Sequence, residues 1–215
     1  MPHLHSLVLS PRLAHALRIL AVLAFLGAMA GGCFDSEDVP VQPEPVVSAY
    51  PFPDTAEQLM ANVRAAYEDM DIVEYAFTLH EDFVFLFSTE CLIAPVGGSY
   101  TREEDLLHTG RLLGGETGYD QVNDRVLPAV KDIEFLEFEN LTGWSEVAPE
   151  EPGFPGGMKA MYGVSAFMTL DTSDANSYGI DALQLFYVKQ VAVTVPGGES
   201  RLRYYLVGQK DLESD

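Results

Sequence analysis

The chain has 215 residues, with 33 Asp and Glu against 12 Lys and Arg, a formal charge of −21 at pH 7. A field of that sign repels phosphodiesters and anionic headgroups, which excludes nucleic acid as a direct partner and suits a solvated acidic surface. Cysteine occurs only at Cys33 and Cys91, and neither His80 nor His108 has Cys or His neighbours at the spacing of a zinc site, so no metal and no cofactor are expected.

In chain order, Arg12 and Arg18 precede an apolar run over residues 19–30, which leads through Gly31 and Gly32 to Cys33, and no acid occurs before Asp35. As a helix the run would be about 18 Å long at roughly 1.5 Å per residue, short of a hydrocarbon core of about 30 Å. An uncleaved anchor helix is the alternative, and it would have to bury Arg18. The ordering of charge, apolar run, small residues and thiol resembles a bacterial lipoprotein signal peptide. The resemblance implies that residues 1–32 are removed and that Cys33 becomes a lipidated first residue, although Ala30 stands where that family prefers Leu. The implied partner is the membrane, reached through lipid on Cys33. Loss of Arg12 and Arg18 with the leader makes the remaining body more acidic still.

Residues 33–54 read as the lipidated Cys followed by an acidic tether punctuated by Pro40, Pro43 and Pro45. Extended at roughly 3.1 Å per residue, such a segment reaches about 60 Å. Phe34 rather than Asp follows the cysteine, which in studied lipoproteins favours the outer membrane, with the body facing the periplasm or the cell surface.

Residues 55–215 read as one α+β domain. Asp54 or Thr55 caps a helix whose apolar positions Leu59, Met60, Val63, Ala66 and Tyr67 share a face up to about Asp69. Asp71 with Glu74 caps a second helix through Ile72, Tyr75, Ala76 and Leu79, which His80-Glu81 ends, and an aromatic strand follows over residues 82–88. Thr101 to Glu104 opens a third helix with Leu106, Leu107, Gly110 and Leu113 on one face, closed by Gly114-Gly115. From there the period is two, predicting strands around Ile133 to Phe138, Met158 to Leu170, Tyr178 to Val195 and Arg201 to Val207. With Cys33 lipidated, Cys91 has no disulfide partner and reads as a small buried hydrophobe.

Leu59-x-x-x-Val63-x-x-Ala66-Tyr67, then Asp71-x-x-x-Tyr75-x-x-x-Leu79, then Asp82-Phe83-x-Phe85, with a final Tyr204-x-Leu206-x-x-Gln209-x-Asp211, is similar to the nuclear transport factor 2-like (SnoaL-like) superfamily. The resemblance covers residues 55–211, lacks both tryptophans of the usual ending, and implies three N-terminal helices packed on a curved antiparallel sheet as a cone. Alternation along the strands places Ala160, Tyr162, Val164, Ala166, Met168, Tyr204 and Leu206 inward as the lining of a pocket, and Lys159, Ser165 and Thr169 outward; the opposite register is the alternative, since Met161 and Phe167 fall on the other face.

Two functions compete for that pocket. The first is a non-catalytic module that holds a small apolar ligand or an envelope protein, with a homodimer as one arrangement. The second is an isomerase or dehydratase in which a carboxylate or His moves a proton, with candidates His80, Asp82, Tyr162 and Tyr204. The oxygen-rich loop 171–176 is a poor calcium site, because Ala175 interrupts it and Ala182 stands where a bidentate Glu would be needed.

Overall fold

The structure is a computed structural model that describes residues 47–212 except 90, 92–93, 121–123, 150, 152 and 172–176. The expected leader, Cys33 and most of the expected tether lie outside the described residues, as does most of the 171–176 loop. Among the described residues no helix is long and apolar enough to cross a membrane.

Helix α1 (Ala56–Glu68) starts where Thr55 accepts a hydrogen bond from the Gln58 amide at 3.0 Å, and it buries Leu59, Met60, Val63 and Ala66. Asp71 caps helix α2 (Ile72–Thr78) by accepting from the amides of Val73 at 2.9 Å and Glu74 at 3.0 Å. Strand β1 (Leu79–Leu86) begins without a loop. It starts three residues before the expected point because Leu79 pairs with Leu206, so His80 and Glu81 belong to the strand rather than to the helix end.

Strand β2 (Ser99–Thr101) ends on the N-cap of helix α3 (Arg102–Leu113), where Thr101 and Glu104 satisfy each other's amides in a capping box. Gly115, at φ +64°, takes the left-handed conformation that turns the chain away from the helix. A small hairpin of β3 (Gly118–Asp120) and β4 (Arg125–Leu127) stands apart from the main sheet. There follow β5 (Val130–Asn140), β6 (Ser145–Glu146), β7 (Met158–Leu170), β8 (Ser177–Thr194) and β9 (Ser200–Asp211).

The main sheet has seven strands in the order β2-β1-β9-β8-β7-β5, with β6 on β7, and every pairing is antiparallel except β1 with β9. The architecture is therefore three helices on a mostly antiparallel sheet. Strands β2, β3, β4 and β6 have no counterpart in the sequence expectation, since each has only two or three residues and carries too little pattern to see.

The helices cover the inner face of the sheet. On β7, Ala160, Tyr162, Val164, Ala166 and Met168 are buried, whereas Phe167 on the outer face is 45 % exposed. A second, smaller core on the outer face stacks Phe154 on Tyr187, with ring centres 4.1 Å apart, beside Val147 and Val207. One irregularity matters for the site. Tyr187 pairs with Gly208 but Val188 pairs with Leu206, so Val207 is an extra residue in β9 and the alternation reverses beyond it.

Candidate functional site

Between α1, α3 and the inner face of β5, β7 and β8 lies a cavity of about 190 Å³. Its walls include Val63, Ile133, Val164, Met168 and Phe186, and its polar groups are few: Tyr67, Asp105, His108, Thr109, Gln184 and Gln209 supply most of them.

Asp105, Thr109 and Leu113 follow at four-residue steps along α3 and form its buried face. This corrects the expected face, for Leu107 turns out 52 % exposed. A carboxyl can point inward here because a donor awaits it: the Tyr75 hydroxyl donates to Asp105 Oδ2 at 2.9 Å. Burial pushes the Asp105 carboxyl from its ordinary 3.8 up to about 7, against the pull of the Tyr75 bond. Tyr67 packs edge-on against Tyr75, with ring centres 5.1 Å apart. Burial, then the nearby Asp105, holds both phenols far above the usual tyrosine range, so the cluster keeps its protons.

His108 lies one turn along from Asp105 and stacks on Tyr100, with ring centres 4.5 Å apart and planes 18° from parallel. Burial and then Arg111 push its basicity down, so the imidazole is neutral at pH 7. Its Nδ1 is buried with no hydrogen-bond partner among the described residues. Across the cavity, Gln209 Nε2 donates to Gln184 Oε1 at 3.0 Å, and Gln184 Nε2 donates to Asp211 Oδ1 at 2.8 Å. Burial raises Asp211 from 3.8 to about 6, while the Gln184 bond opposes that rise.

The residues singled out in the sequence fall into three groups. Val164, Ala166 and Met168 line the cavity. Ala160, Tyr162 and Leu206 are buried in the surrounding core but do not line it, and Tyr204 packs half-buried against that core with its amide on the Pro53 carbonyl at 2.9 Å. Tyr162 sits among Phe138, Trp144 and Phe186, where burial pushes its phenol up to about 12.

His80 and Asp82 lie outside the cavity lining, at the start of β1. The Asp82 side chain is 82 % exposed and reaches His80 Nδ1 at 3.5 Å, a nitrogen that already accepts the Asp82 amide at 3.2 Å. His80, Glu81 and Asp82 bring possible metal-ligand atoms within 4.8 Å of one another, but Glu81 and Asp82 are exposed. The cavity residues Asp105, His108 and Glu116 do not form such a close group among the described residues.

Sequence reasoning gives Asp105, His108, Thr109, Gln184, Gln209 and Asp211 no place in the site, although His108 is weighed as a zinc ligand and Gln209 and Asp211 belong to the final-strand pattern. For Asp105 a signal existed: it shares a helical stripe with Leu112 and Leu113, and an acid on an apolar stripe marks a buried charge in need of a donor.

No protein-family model and no curated protein matches the sequence. Among solved structures, the chain is similar to a ketosteroid isomerase-like protein from Erwinia carotovora atroseptica, at 10 % identity over 74 % of this chain and 94 % of that one, TM-score 0.39. It is similar to a type 2 hexachlorocyclohexane dehydrochlorinase at 10 % identity over 72 % of this chain and 79 % of that one, TM-score 0.42. An NTF2-like protein of unknown function in nutrient uptake from Rhodospirillum rubrum aligns at 13 % identity over 73 % of this chain and 96 % of that one, TM-score 0.39. Likenesses this distant carry no argument about activity, which has to come from the cavity itself.

Proposed function

We propose that the protein is a lipid-anchored binding module of the bacterial cell envelope, built as a nuclear transport factor 2-like cone that takes up a small, largely apolar molecule. The observation behind the binding role is the cavity of about 190 Å³ with mainly aliphatic and aromatic walls. An apolar protein cavity of about 150 Å³ accepts benzene, so this one suits a single ring with a short substituent. The anchor and the outer-membrane address rest on the order of residues from Arg12 to Phe34.

Incubating the full-length protein with a lipid extract of its host, followed by native mass spectrometry, tests the binding role. A retained small molecule that is lost in Ala166→Phe, which fills the cavity, is the expected result; identical spectra for both proteins reject the role. Cys33→Ala should release the chain from the membrane fraction, and unchanged fractionation rejects the anchor.

A second reading is proton transfer, favoured by the opposite displacements of Asp105 and His108. A carboxyl raised to about 7 and an imidazole of lowered basicity, three residues apart on α3 and both on the cavity lining, can supply an acid and a base. A retained molecule returned as an isomer or dehydration product by the unsubstituted protein, and unaltered by Asp105→Asn, would select this reading over simple binding.

A further inference from the structure

The polar groups on the sheet side of the cavity are ordered by a single charge. Asp211 receives a hydrogen bond from Gln184, and an ionised carboxylate has no proton to give, so Gln184 must turn its NH₂ toward it. The Gln184 carbonyl oxygen then faces Gln209, which in turn must present its own NH₂. Amide orientation is ambiguous when the neighbours can both give and accept; a chain that begins on a carboxylate removes the ambiguity. Gln209 lines the cavity, and its Oε1 has no hydrogen-bond partner among the described residues.

The helix side adds the carboxylate acceptors Asp105 and Glu116 beside the His108 ring and the Thr109 hydroxyl. Tyr75 spends its proton on Asp105, and Tyr67 packs edge-on against Tyr75. Asp105 and Glu116 on the lining, with Asp211 behind it, oppose an anionic ligand.

We infer that the molecule taken up is neutral and carries a hydroxyl group, that Gln209 Oε1 receives its proton, and that Asp211 acts through Gln184 as the positioning residue for this preference. The inference rests on the uptake of an apolar molecule proposed above and adds the chemical class. Asp211 lies outside the lining, so its effect travels through the two amides rather than by contact.

Two isomeric probes separate these statements: 4-ethylphenol, which has an O–H donor, and 4-methylanisole, which has only an ether acceptor. Binding to the full-length protein is followed by calorimetry near pH 8, where Asp105 and Asp211 are both ionised. The phenol should bind about five- to tenfold more tightly, the range of one net hydrogen bond. Gln209→Met, which keeps size but loses the acceptor, should bring the two isomers within about twofold. Asp211→Asn should narrow the preference without weakening the ether, and Asp211→Glu should restore it; a merely structural role would weaken both isomers alike.

Equal affinities in the unsubstituted protein, or a preference for the ether, overturn the inference while leaving uptake intact, and they do so even if a variant fails to fold. Full preference retained in Asp211→Asn overturns the positioning role. Failure of both isomers to bind rejects the uptake reading itself.

Discussion

Replacing Asp105 by asparagine removes the one carboxyl that α3 turns into the core, and its effect should depend on pH in a defined direction. Asp105 is 6 % exposed, and burial moves its titration from 3.8 to about 7. A rise of about three pH units, at about 1.36 kcal/mol each, means that the ionised form destabilises the fold by roughly 4 kcal/mol. Between those two pH values the folded chain holds a proton that the unfolded chain has released. Stability from this group is therefore greatest below about pH 4, declines toward pH 7, and stays low above it. Asparagine cannot ionise, yet its oxygen can still accept the Tyr75 hydroxyl. The variant should match the parent or fall slightly below it near pH 4 and exceed it near pH 8, the gap opening by roughly 2–4 kcal/mol. Urea unfolding of both proteins at pH 4 to 8 measures this, and taking the difference cancels the acidic groups they share. A difference that does not change with pH would refute the buried, proton-holding carboxyl.

Three further outcomes follow from packing. At Gly208 an added Cβ would lie 2.3 Å from the Phe154 ring, which is stacked on Tyr187, so Gly208→Ala should destabilise by about 1–3 kcal/mol, and less when Phe154 is first cut to alanine. Additive losses in the double variant would contradict the clash. Leu59 is fully buried, and Leu59→Ala should cost about 2–5 kcal/mol in chemical unfolding; a loss under 1 kcal/mol would place it outside the core. Removing the N-cap of α1 with Thr55→Ala should cost about 1 kcal/mol with no change in the slope of the urea transition, and an unchanged midpoint would count against the cap.

The order of elements was legible in the sequence because its signals are local. Thr55, Asp71 and Thr101 announce helix starts through side-chain acceptors a few residues from the amides they satisfy, and the inward set on β7 follows from alternation along the strand. The expectation of a leader ending at Cys33 likewise rests on a linear arrangement of residues, independent of any fold. The site was not legible in the same way. Asp105 faces inward only because Tyr75, from another helix, offers a hydroxyl at 2.9 Å, and no spacing within α3 reveals that partner.

Gln209 and Asp211 show the same limit from the sheet side. Counting by twos from Tyr204 and Leu206 puts Gln209 outside, and the extra residue Val207 turns it inward. A bulge is decided by how β9 meets β8, not by the residues of β9 taken alone. Charge, helix caps and strand alternation are thus properties of the chain as a line. Which carboxyl loses water, and which amide faces the cavity, are properties of segments brought together, because desolvation and hydrogen-bond partners exist only once the tertiary structure has formed.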